Sequence, residues 1–218
     1  MIYLYLVFLA AVAFAAVLGV LEQRRHVARL RVFKTRIIVI GDEKAEIVQA
    51  CARALDGGEW RVAAQTRWGS TVLLPGEPPR DAPPVPAPIP ERKAFARVAS
   101  DSGANAVVVD ALSRSASLVR EDREQLIAAD VSIIQPEDGA VPQPSGLAAA
   151  VPRDGLCLTT DSRIMERLEG LCASRGTRRV LVDPGTQGRP LALAVALAVE
   201  RGVAREAAVE SATTGWSW

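Results

Sequence analysis

The residues most able to do chemistry in this sequence form one short run, Gly41-Asp42-Glu43-Lys44-Ala45-Glu46. It follows the β-branched segment Arg36–Ile40. A loop that cradles nucleotide phosphates needs glycines for close backbone approach, a lysine for the outer phosphates and a Ser or Thr hydroxyl for magnesium. Gly41 and Lys44 meet two of these needs. The glycine before the lysine is absent, and Ala45 stands at the hydroxyl position. Asp42, Glu43 and Glu46 suit the positive end of a helix dipole but repel a triphosphate. Two like charges about 4 Å apart cost on the order of 4 kcal/mol at intermediate dielectric. The run therefore reads as a stable helix start in which Gly41 and Lys44 are remnants of a phosphate loop; Lys44 reads more readily as a solvated lysine. Asp110 and the pair Glu137-Asp138 each follow an apolar run. The carboxyl ends of parallel strands are where an α/β fold usually builds its site. Asp110 lies at such an end, with a turn or cap role as its plainer reading. Gly185-Thr186-Gln187-Gly188-Arg189 precedes a helical pattern and reads as an anion-holding loop or a simple turn. No residue qualifies as catalytic, and no cofactor is expected.

The elements that would position these residues alternate. Strands are expected at Arg36–Ile40, Arg61–Ala64, Ser70–Leu74, Ala106–Asp110, Val131–Ile134, Gly155–Thr159 and Arg179–Val182. Helices are expected at Glu43–Leu55, Glu91–Ser102, Leu118–Ala129, Asp161–Ser174, Pro190–Arg201 and Arg205–Ala212. Asp161 suits an N-cap and Pro190 a first turn. Eight of the sixteen residues from Pro75 to Pro90 are proline, which implies an extended loop. Gln135–Gly146 reads as turns. Strands separated by helices imply an α/β fold: a mostly parallel sheet with helices on both faces.

The remaining counts exclude several functions. The chain has 218 residues, 26 basic against 25 acidic, one histidine and three cysteines. One histidine excludes multi-histidine metal sites, and three scattered cysteines do not make a disulfide framework. Cys51, Cys157 and Cys172 read as small core residues. A formal charge of +1 and 5% aromatic residues argue against nucleic acid as a partner. Residues 1–21 carry no charge, and a helix of that length reaches about 30 Å, the thickness of a bilayer core. Arg24, Arg25, Arg29, Arg31, Lys34 and Arg36 follow it. Basic residues on that side alone imply a single-pass anchor with the soluble part in the cytoplasm. His26 is expected at headgroup level. The division is an anchor at 1–22, a basic juxtamembrane segment at 23–35, an α/β domain at 36–212 containing the proline-rich loop 75–90, and a tail at 213–218.

Five collinear segments resemble the ligase subunit of poly-γ-glutamate (capsule) synthase, a member of the Mur ligase superfamily. Gly19–His26 (GVLEQRRH) looks like the family's exit from its N-terminal membrane helix. Arg36–Leu55 is similar to its strand, phosphate loop and helix. Gly103–Val108 (GANAVV), Gly155–Ser162 (GLCLTTDS) and Leu191–Ala198 (LALAVALA) resemble later parts of its central domain. The resemblance implies the central α/β domain of that superfamily. It also implies a bacterial inner-membrane location, beside the membrane proteins of a polymer synthesis and export complex. Active members use ATP and magnesium to activate a carboxylate for attack by an amine. The family's magnesium-holding glutamate falls at Asp110, so the resemblance implies Asp110 as the remnant metal ligand. Its E-D-H motif appears as Glu137-Asp138-Gly139, without the histidine. Thr66–Ser70 lies where the family has a T-T-G-T loop, and Arg67-Trp68 makes it bulkier. The family's C-terminal domain is expected to be missing after Trp218, where Trp216 and Trp218 suggest a partner surface or a loose end.

Three functions compete on this reading. The first is a membrane-anchored pseudoenzyme that scaffolds or regulates such a complex. The second is a divergent ATP-dependent ligase half that needs its C-terminal domain from a separate chain. The third is an anion or nucleotide sensor built on Asp110, Glu137 and Asp138.

Overall fold

Each strand places alternate side chains on opposite faces of the sheet, and here both faces are apolar. The computed structural model describes residues 2–56, 58–66, 71–75, 80–81, 88–111 and 129–213. The strands are β1 (Thr35–Ile40), β2 (Val62–Thr66), β3 (Thr71–Leu73), β4 (Arg80–Asp81), β5 (Ala106–Asp110), β6 (Val131–Ile134), β7 (Leu156–Thr159) and β8 (Arg178–Leu181). The helices are α1 (Ile2–Leu30), α2 (Lys44–Asp56), α3 (Pro88–Asp101), α4 (Pro144–Ala150), α5 (Ser162–Ser174), α6 (Arg189–Glu200) and α7 (Arg205–Thr213). The strands form one sheet in the order β4-β3-β2-β5-β1-β6-β7-β8. The six from β2 to β8 run parallel; β3 and β4 extend the β2 edge antiparallel.

Ile37 and Val39 of β1, Val108 of β5 and Ile133 of β6 face one core, closed by α2, α6 and α7. Ile38 and Ile40, Val107 and Val109, and Ile134 face the other, closed by α3, α4, α5 and the end of α1. This is the expected α/β sheet with helices on both faces. It explains why the central strands read as continuous runs of Val and Ile.

Four details depart from expectation. Helix α1 does not stop at the end of its apolar stretch: it continues through the arginines to Leu30. His26 is therefore not at a headgroup surface. It is only 2% exposed, because His26 and Leu30 share one helical face (i, i+4) where α1 packs on α3. Helix α3 starts at Pro88, inside the proline-rich stretch; proline is tolerated in a first turn, whose N–H groups lack helical partners anyway. The short β4 also lies within that stretch. Lastly, α4 occupies the end of a segment read as turns; proline at its first turn and the small apolar run Gly146–Ala150 make it helical. The expected helix at 118–129, most of the loop at Thr66–Ser70 and the two C-terminal tryptophans lie outside the described residues. From Tyr5 to Leu30, α1 is long and apolar enough to cross a membrane by length and composition.

Candidate functional site

Parallel strands end together, so the loops after β1, β5, β6 and β7 meet at one edge of the sheet. Gly41, Lys44, Asp110, Glu137 and Asp138 all belong to that edge. Residues Val39 and Asp110 are paired across β1 and β5, and Ile40 and Ile134 across β1 and β6.

The turn after β1 is three residues long, Gly41 to Glu43, before α2 begins at Lys44. Gly41 has φ +104°, and a Cβ there would lie 2.3 Å from the carbonyl oxygen of Gln135. Only glycine fits. The Asp42 N–H donates to the Pro136 carbonyl at 3.0 Å, and Glu43 itself has φ +56°. The turn is thus seated on the Gln135–Pro136 backbone rather than arched around an anion. A phosphate cradle presents its amides outward; one of the few available here is already bonded inward. Lys44 Nζ donates to the Ala111 carbonyl at 3.1 Å, across the end of β5. Asp110, beside that carbonyl, is fully buried.

Glu137 and Asp138 line a cleft of about 330 Å³ with Gly41, Ile40, Val141 and Leu147. Around them Glu137 and Ala140 exchange two backbone hydrogen bonds, of 3.0 and 2.9 Å. Asp138 and Gly139 between them have φ +50° and +73°. This is the two-residue turn with both central residues left-handed, for which Asp-Gly is a preferred pair. The glycine at 139 is a requirement of that turn. A histidine there would be strained.

The Gly185–Arg189 loop also reaches this edge but is closed in its own way. Gly185 N donates to Asp183 Oδ1 at 3.0 Å. Arg189 pairs with Glu43 at 3.6 Å, so a carboxylate occupies the neighbourhood of the α6 N-terminus.

Sequence reasoning passed over Gln135. Its side chain is buried, and its Oε1 accepts from Thr160 Oγ1 at 2.7 Å. That bond joins the loops after β6 and β7. Nearby, Asp161 caps α5 through the N–H groups of Arg163 and Ile164. The Arg163 guanidinium beside it holds the Asp161 carboxyl below the usual carboxylate range. The one legible signal was the Thr-Thr-Asp-Ser run, which contains both the cap and the Thr160 hydroxyl.

These residues do not fit a magnesium nucleotide. The cradle is occupied by the 135–136 backbone, Ala45 offers no hydroxyl, and no cluster of three or more metal-ligating side chains exists among the described residues. No catalytic step is assigned to them.

Neither a family model nor a curated protein matches the sequence. Solved structures do match its fold. E. coli FolC in complex with DHPP and ADP superposes with a TM-score of 0.60 at 13% identity, over 88% of this chain and 60% of that one. A glycine-to-serine mutant of L. casei FPGS gives 0.57 and 14%, over 89% and 68%. The bifunctional folylpolyglutamate synthase/dihydrofolate synthase of Yersinia pestis, complexed with AMPPNP and Mn, gives 0.57 and 12%, over 88% and 61%. The chain thus spans about three fifths of the length of the E. coli protein. At such identities the likeness is one of fold, and the fold is the α/β fold of the Mur ligase type.

Proposed function

We propose that this chain is a membrane-anchored, non-catalytic relative of the Mur-type ligases. In this reading it is a scaffold or regulatory subunit beside a polymer synthesis and export machine, with poly-γ-glutamate as the polymer and the bacterial inner membrane as the site. The observation that carries it is the closed turn at Gly41–Glu43. Its amide at Asp42 bonds the Pro136 carbonyl, its lysine bonds the Ala111 carbonyl, and the run Gly41–Glu46 carries three carboxylates, at Asp42, Glu43 and Glu46. Phosphoryl transfer depends on positioning and charge neutralisation around the phosphates, and this turn supplies neither. The apolar helix α1, the basic residues after it and the five segments of resemblance support the membrane setting and the polymer. Support for a ligase relative comes from the folylpolyglutamate synthase fold.

The test is calorimetric titration of Mg-ATP into the full chain in detergent. No heat of binding is expected up to millimolar nucleotide. Micromolar affinity that disappears in Lys44→Ala would replace this reading with the ligase half that takes its remaining domain from another chain. What favours that second reading is the meeting of Gly41, Lys44 and Asp110 at the ends of two adjacent strands.

A further inference from the structure

Cys157 and Cys172 are more than small core residues, because the fold brings their thiols together. Cys157 stands on β7 and Cys172 near the end of α5. Both are buried in the core on the α3–α5 side of the sheet. The segment leading into β8 ties the two elements to each other. The Thr177 N–H donates to the Cys172 carbonyl at 2.9 Å, and two residues on, Arg179 is the β8 partner of Cys157. The Cys157 thiol donates a hydrogen bond to the Cys172 sulfur. Sulfurs in such contact need to close by only about 2 Å to reach the length of a disulfide.

The surroundings distinguish the two thiols. Cys172 is followed by the exposed residues Ala173 and Ser174, so it lies just under the surface. Two guanidinium groups stand near it. Arg179 is held by the Met165 carbonyl and Glu169, and Arg175 by the Val151 carbonyl. The bond from Cys157, joined by the Arg179 and Arg175 charges, holds the Cys172 thiol below its ordinary value against the opposing effect of burial. Cys51, in the other core, is acted on by burial, which pushes its thiol up. The thiolate is the reactive form of cysteine, so Cys172 is the nucleophile of the pair and Cys51 the inert thiol.

We propose that Cys157 and Cys172 form an oxidisable dithiol, which hydrogen peroxide converts to a disulfide pinning α5 to β7. The Cys172 thiolate attacks one peroxide oxygen and breaks the O–O bond, releasing hydroxide and leaving a sulfenic acid. The Cys157 sulfur then attacks the Cys172 sulfur and displaces its hydroxyl, which leaves with the Cys157 proton as water. The two thiols give up two electrons and two protons, and the peroxide becomes two waters. The inference is independent of whether the chain binds nucleotide.

The experiment treats the full chain in detergent with hydrogen peroxide, alkylates the remaining thiols after denaturation and reads the tryptic peptides by mass spectrometry. Trypsin places Cys157 in Asp154–Arg163, Cys172 in Leu168–Arg175 and Cys51 in Ala45–Arg53. The first two peptides should appear joined, two hydrogens lighter than their sum, and separate on reduction. The Cys51 peptide should stay alkylated. Cys157→Ser should stop at the Cys172 sulfenic acid, which dimedone traps, whereas Cys172→Ser should leave Cys157 at least tenfold less reactive. The oxidised chain should unfold at a higher urea concentration than the reduced one, and either variant should lose that difference. Peptides that never join, or that join only once urea has unfolded the chain, overturn the proposal. So does oxidation of Cys51 as fast as that of Cys172, or sulfinic acid building up at Cys172 in place of the bond.

Discussion

Asp161 shows how much a single side chain in this chain is asked to do. It caps α5 through two backbone N–H groups and holds Arg163, which also reaches the Gly139 carbonyl. The hydrogen bond from Arg163 depresses its pKa most, with the backbone bonds adding to it. A depressed carboxylate contributes stability above its unfolded value, about 3.9. That contribution is lost as pH falls through the folded value. Asp161→Asn keeps an acceptor at the cap but removes the charge. Acid unfolding followed by circular dichroism should show the unsubstituted chain losing stability below about pH 4, with that part of the slope absent in the variant. At neutral pH, Asp161→Ala should cost about 1 kcal/mol. An acid limb identical in the two proteins would refute the assignment. The cap was legible in the sequence as an Asp before an apolar-periodic run. The glycine at 139 was legible only as a missing histidine, because its real role depends on the positive φ of a turn whose two ends bond each other. The closed state of Gly41 was not legible at all: it depends on a carbonyl 94 residues further along, at Gln135.

At the scale of elements, periodicity revealed every strand of the parallel sheet, because all but β8 are buried on both faces and so are mostly apolar. It misjudged the ends and the short pieces. Helix α4 has only seven residues, too few for a helical period to stand out. The reach of α1 was hidden for a different reason. Arg24, Arg25, Arg29 and Arg31 look like a boundary, yet they flank the face on which His26 and Leu30 are buried. One helix is thus both the apolar segment and a part of the second core, where Leu30 and Phe33 meet Phe95, Ala96 and Ala99. The apolar segment and the domain are joined by packing as well as by the chain. Leu30→Ala should lower the stability of the α/β domain by about 2–4 kcal/mol, read as a shift of the urea midpoint of the full chain in detergent. A midpoint unchanged within error would mean that the end of α1 adds nothing to the stability of the domain.

Across the whole molecule, burial is concentrated in the middle of the sheet and declines toward both edges. Every residue of β5, β6 and β7 is buried, as is every residue of β1 except Arg36. Arg36 in turn clamps Asp130 at the foot of β6 with a 2.9 Å ion pair, tying β1 to β6 at the end opposite the turn of Gly41. Strand β8 is exposed at its two ends, Arg178 and Leu181, and partly buried between them, and β3 and β4 are two short strands hung on the β2 edge. Amides at the centre can open only when both helical layers leave, whereas β3 and β4 can open alone. Hydrogen exchange on the full chain should therefore give β1, β5 and β6 a common opening free energy equal to the global stability from denaturant titration. Opening free energies in β3 and β4 should be well below it. At β8 the inward amides of Arg178 and Val182, bonded to Gly155 and Thr159, should exchange more slowly than the outward amides of Arg179 and Leu181. Opening free energies in β3 and β4 equal to those of β1 would refute the hierarchy.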